Sequence, residues 1–139
     1  MRSALFFVVV GAVTLAGCST SPISAEQADP VPSSRLYGFQ SRISAGDGVL
    51  TVTRDTGFTG SACNVRIAVN NRLVAEIGSG ETASFYLKPD TYIVSLDPGA
   101  MCGGGLKERE VVISGKAQKR YRVSADLNGA GYDLTPTAF

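Results

Sequence analysis

Asn64-Val65-Arg66-Ile67-Ala68-Val69-Asn70-Asn71-Arg72-Leu73-Val74-Ala75-Glu76-Ile77 is the stretch whose reading decides the fold. On its first arm Val65, Ile67 and Val69 fall on one side and Asn64, Arg66 and Ala68 on the other. That is the period of two required of a half-buried strand. The second arm, Arg72 to Ile77, repeats the pattern, with Leu73, Ala75 and Ile77 expected inward. Between them stands Asn70-Asn71, and Asn tolerates positive φ, so a two-residue hairpin turn is expected.

The same alternation extends in both directions. Upstream, Gly48 to Arg54 reads as a strand. Downstream, Thr82 to Leu87 places Ala83, Phe85 and Leu87 together, and Lys88-Pro89-Asp90 turns the chain into Thr91 to Leu96. There Tyr92, Val94 and Leu96 are expected inward. Lys107 to Ile113 and Gln118 to Ala125 follow, joined by Ser114-Gly115-Lys116-Ala117, with a short last strand at Tyr132 to Thr135. Arg35 to Gln40 reads as an edge strand or an extended lead-in. No window after the leader carries an apolar stripe of helical period. Seven to eight short strands separated by polar turns predict an all-β domain over residues 35–139, an antiparallel β-sandwich of immunoglobulin-like or transthyretin-like outline.

Ahead of this domain, Met1-Arg2 gives a positive end and Ala4 to Ala16 an apolar run of 13 residues. That run suits a signal-peptide core and falls short of the ~20 residues a spanning helix needs. It closes on Leu15-Ala16-Gly17-Cys18, which resembles the lipobox of bacterial lipoproteins. The resemblance implies cleavage of residues 1–17 and a diacylglycerol on the Cys18 sulfur. It also implies a membrane partner reached through acyl chains; one chain binds marginally, whereas several hold durably. Ser19, where enteric lipoproteins retained in the inner membrane carry Asp, implies the outer membrane, with the domain in the periplasm. Residues 18–34 hold Pro22, Pro30 and Pro32, with only Ile23 and Val31 as sizeable apolar groups, and read as a flexible tether.

Charge narrows the function classes. Lys plus Arg number 13 and Asp plus Glu 12, so clustered positive charge for nucleic acid is not indicated. Histidine is absent, which removes the usual general base and the commonest metal ligand. Neither a cofactor nor a metal site is expected. With Cys18 committed to lipid, Cys63 and Cys102 are the remaining thiols, and in an oxidising compartment they are expected to form a disulfide.

Gly78-Ser79-Gly80-Glu81 lacks the lysine and following helix of a phosphate cradle and reads as a turn. Asp47, Asp55, Asp90 and Asp97 sit at predicted turns without calcium-loop spacing. Glu108 and Glu110 share one side of a strand whose alternate Lys107 and Arg109 suit a solvated edge. Ser61 has no base to activate it. Lys119, Arg120 and Arg122 form a candidate basic patch for lipid phosphate or an acidic partner. A Cys63–Cys102 bond would draw together two glycine-rich loops with Phe58 and Met101 as apolar tips, a candidate partner-binding pair. No residue is assigned a catalytic role.

Val52-Thr53-Arg54-Asp55-Thr56-Gly57, Val69 to Ala75 and Phe85-Tyr86-Leu87-Lys88-Pro89-Asp90-Thr91-Tyr92 together resemble short proteobacterial lipoproteins carrying a β-sandwich domain of unknown function. The last of these is similar to PEGA-type surface-layer domains, with Asp90 standing where that pattern has Gly. The resemblance implies an adhesion or interaction module with no activity. The expectation is therefore a lipid-anchored, non-catalytic lipoprotein presenting its sandwich to another envelope protein. A secretion-apparatus lipoprotein and a periplasmic inhibitor of a host hydrolase such as lysozyme are the alternatives.

Overall fold

The alternation becomes nine strands among the described residues of the computed structural model, which are 20–57, 60–125 and 131–139. The leader, Cys18, Ser19 and Phe58 lie outside them. In chain order the strands are β1 (Asp29–Pro30), β2 (Gly48–Arg54), β3 (Val65–Val69), β4 (Arg72–Ile77) and β5 (Glu81–Leu87). They continue as β6 (Asp90–Asp97), β7 (Lys107–Ile113), β8 (Gln118–Ala125) and β9 (Tyr132–Pro136). Eight correspond to the expected strands; the two-residue β1 was not foreseen.

One sheet has the order β1-β5-β2-β8-β9 and the other β4-β3-β6-β7. The second is antiparallel throughout, but in the first β2 pairs with β8 in parallel, and β1 with β5 likewise. A parallel pair needs a long crossover, and here strands β3 to β7 supply it between β2 and β8. The chain passes from the first sheet (β2) to the second (β3, β4), back to the first (β5), to the second again (β6, β7) and returns to the first (β8, β9), so the two sheets face each other as a β-sandwich.

Side chains from both inner faces fill the space between the sheets. Leu50, Val52, Phe85, Leu87, Val123 and Leu134 from one meet Val65, Ile67, Val94, Leu96, Val111 and Ile113 from the other, all essentially inaccessible. The expected inward sets of β3, β5 and β6 are found there, with Tyr92 only half-buried. Asn70 and Asn71 both have positive φ, at 47° and 63°, as a primed hairpin turn demands.

Strand β4 corrects one expectation. Leu73 points outward, while Val74, Ala75 and Ile77 are buried. Ile67 faces Ala75 but the next residue, Ala68, faces Leu73, so Val74 is the extra residue of a β-bulge. One inserted residue reverses the phase of everything beyond it.

Residues 21–34, expected as a flexible tether, are instead laid against the sandwich. Ser21 bridges Thr56, β1 runs beside Glu81 and Thr82, and Val31 is buried in the core. A 3-10 turn at Ser33–Arg35 then carries the chain across to β4, where Leu36 bridges Ala75 and the Tyr37 amide donates to the Val74 carbonyl at 2.8 Å. Phe39 returns to β5, accepting from the Tyr86 amide at 2.8 Å. These main-chain bonds offset the ordering entropy that apolar content alone would not.

Candidate interaction surface

Residues 55–57, 60–64, 78–80 and 98–106, together with the end of β8 at Ala125 and the start of β9 at Tyr132, meet at one pole of the sandwich. Cys63 and Cys102 are disulfide-bonded there, with Cα atoms 6.0 Å apart, as expected. Beneath the bond lies Arg54, on the inward side of β2 with Leu50 and Val52 and almost wholly buried. Its guanidinium donates to the carbonyls of Cys63, Ile77 (3.0 Å) and Gly60 (2.6 Å), and to the Tyr132 hydroxyl at 3.3 Å, while stacking over the Tyr132 ring. Burial pulls this guanidinium below its ordinary pKa, opposed by the nearby Tyr132 and Glu81. Arg54 thus binds the first loop to the ends of β4 and β9. Alternation supplied a signal for it, because Arg54 shares the phase of Leu50 and Val52. Met101, at the second loop's tip, is 99% exposed and touches nothing of the core.

The expected basic patch is largely neutralised by the chain itself. Arg120 and Arg122 do share the outer face of β8, but Arg120 pairs with Glu26 at 2.7 Å and Arg122 with the buried Asp55 at 2.6 Å. Lys119 is exposed on the opposite side of that strand. Glu26 belongs to the segment read as a tether, so the loss of the patch follows from the docking of that segment. Arg120 in turn holds the Glu26 carboxyl below the usual range.

Glycine loop 78–80 is a turn, as expected. Glu81 accepts the Gly78 amide at 2.6 Å and a bidentate pair from Arg35 at 2.6 and 2.8 Å. Burial raises the Glu81 pKa, but the Arg35 hydrogen bond and the Gly78 amide outweigh it and leave the carboxyl below its ordinary value. Asp47 likewise closes a turn, accepting from the Ser44 and Ile43 amides at 2.9 Å each, which hold its carboxyl low. Among the described residues no three His, Cys, Asp or Glu gather closely enough to hold a metal ion.

The outer face of the β4-β3-β6-β7 sheet is different in kind. Outward residues are Glu76 and Leu73 from β4, Arg66 and Ala68 from β3, Ile93, Ser95 and Asp97 from β6, and Glu108, Glu110 and Val112 from β7. Leu73, Ile93 and Val112 are 39 to 49% exposed, and Leu106 at the rim is 59% exposed. An open cleft of about 240 Å³ lies among Arg66, Leu73, Ser95, Asp97, Leu106 and Glu108. Arg66 is paired to Asp97, and Glu108 accepts from Ser95 at 3.2 Å. Four carboxylates against one guanidinium make this face acidic as well as apolar. Leu73 reaches it only because of the bulge, so alternation alone conceals the patch. Glu108 and Glu110 do stand on an edge strand, and the alternate Arg109 turns the other way to bind the Leu134 carbonyl at 3.0 Å and Asp133 at 2.8 Å.

Neither a protein-family model nor a curated protein sequence matches this chain.

Proposed function

We propose that this chain is a lipid-anchored, non-catalytic envelope lipoprotein that binds another envelope protein through the outer face of its four-stranded sheet. The observation that carries the reading is the exposure of four large apolar side chains on this side of the sheet, with Leu73 and Leu106 lining the cleft beside Glu108, and Ile93 and Val112 further along the same face beside Glu110. The outer face of the other sheet is crossed by the chain's own residues, with Ser21 on Thr56 and Glu26 on Arg120. Large apolar side chains left exposed among charges on one sheet face are the surface type that protein partners cover. Its sign selects a partner that presents Lys or Arg around apolar side chains. Signal cleavage before Cys18 and acylation of its sulfur supply the anchor, and the outer membrane the location.

A photo-reactive side chain at Ile93 in the full lipoprotein, expressed in its native envelope, tests this. A discrete adduct is expected from position 93, absent from position 51 on the other sheet, and lost when Glu108→Lys and Glu110→Lys are added. No adduct at 93, or the same adduct from 51, refutes the proposed face.

A secretion-apparatus lipoprotein is the alternative reading, and a two-sheet sandwich of this size accords with it equally. Mass-spectrometric identity of the adduct decides between a secretion component and another envelope protein.

A further inference from the structure

We propose that the disulfide-bonded pole of the sandwich is held against the lipid headgroups, so that the partner-binding sheet stands upright from the membrane. The inference rests on acylation of Cys18 and goes beyond it. Ser21 is fixed to Thr56 at that pole by paired backbone bonds, the Ser21 amide to the Thr56 carbonyl at 2.7 Å and the reverse at 3.1 Å. From Cys18 to Ser21 is three residues, and a fully extended chain advances at most ~3.6 Å per residue, so the acylated sulfur is tethered within about 10 Å of the docked residue. Strands of seven or eight residues set the opposite pole roughly 25 Å further away. The tether reaches one pole and not the other.

The composition of the near pole suits that position. The described residues 55–57, 60–64, 78–80 and 98–106 there contain no Lys or Arg, and their one acid, Asp55, is buried against Arg122. Of the charges at the adjoining strand ends Arg66 and Asp97 are paired to each other, with Lys107 beside them. Little charge must be desolvated on approaching the interface. Met101 projects there 99% exposed, with Leu106 beside the same loop at 59%. Lys88, Lys116 and Lys119 lie at the far pole, where attraction to anionic lipid would pull the molecule over. Screening confines that attraction to about 8 Å at physiological salt, less than the length of the sandwich. The short docked tether therefore decides the orientation.

The chain contains no tryptophan, so Met101→Trp and Lys116→Trp each introduce a single fluorophore, at exposed sites on opposite poles. The full lipoprotein bearing either change is reconstituted in phosphatidylethanolamine–phosphatidylglycerol vesicles containing a headgroup-nitroxide lipid. Quenching is expected several-fold stronger, with a blue-shifted emission, from position 101. Equal quenching, or stronger quenching from position 116, in protein whose intact mass includes the acyl chains overturns the orientation alone. A mass without acyl chains on residue 18 refutes the anchoring beneath it.

Discussion

Arg54 carries a full positive charge into the sandwich, and its hydrogen bonds go to three carbonyls and a phenol rather than to a carboxylate. Each of those carbonyls closes a strand or loop end at the disulfide pole, and one side chain gathers all three, the Ile77 carbonyl through a fully buried bond. Arg54→Met keeps the buried stem but removes the donors to the Cys63 and Ile77 carbonyls, whereas Gly60 keeps the Cys63 amide and the Tyr132 hydroxyl. An unsatisfied buried group costs ~1–3 kcal/mol. A loss of about 3 kcal/mol in urea unfolding is expected, with faster proteolysis of loop 55–63. Arg54→Lys recovers only part, since an ammonium cannot reproduce the planar fork. Gly60 belongs to the same unit: its φ is +71°, and a Cβ there would sit 1.8 Å from the Tyr132 hydroxyl. Arg54 lay in the inward phase of β2, but a charged residue at a strand end reads as solvent-facing until the carbonyls folded over it are seen. For the same reason Asp55 looked like an ordinary turn acid, although its partner Arg122 is remote in sequence.

At the level of elements, strand positions were legible because burial alternates along all of β3, along β2 as far as Val52 and along β5 from Thr82 onward. Phase was legible only where no residue is inserted. In β4 the bulge at Val74 reverses it, and the consequence is measurable. Leu73→Ser should change stability by no more than about 0.5 kcal/mol, as at exposed positions generally. Val74→Ala should cost about 2 kcal/mol, because it removes buried methyls and leaves a cavity. Strict alternation predicts the opposite order, so equilibrium denaturation of the two variants discriminates. Residues 21–34 were illegible for a different reason. Their side chains are small or polar, and what fixes them is backbone pairing to β5 and to Thr56 together with single anchors at Val31 and Glu26. Composition does not register main-chain hydrogen bonds to distant strands. The candidate partner face went unseen in turn, since it joins Leu73 after the bulge to residues from three other strands.

For the whole molecule, the disulfide is the one covalent link between the β2–β3 and β6–β7 connections, closing a loop whose ends are 39 residues apart. Cross-linking a loop of that size stabilises by ~4 kcal/mol in the chain-entropy model. Cys63→Ala with Cys102→Ala should lower the urea midpoint by the corresponding amount without altering the far-ultraviolet spectrum of the folded state. A β-sandwich also has two open flanks, and both are closed by this chain. The docked amino-terminal segment pairs with β5 and β4 along one flank, and Arg109 stitches β7 to β9 along the other. Unpaired strand borders are templates for neighbouring copies. A protein confined to a bilayer meets its own kind at densities far above those of free solution, where any exposed ribbon would zip one molecule to the next. Lys107, Glu108, Arg109 and Glu110 alternate in sign along the β7 border, and Pro30 ends the two-residue β1 border. On the anchoring proposed above, molecules sharing one leaflet would meet borders broken by charge and proline rather than ready templates, while the acidic face of the four-stranded sheet stays open to a partner of the proposed kind.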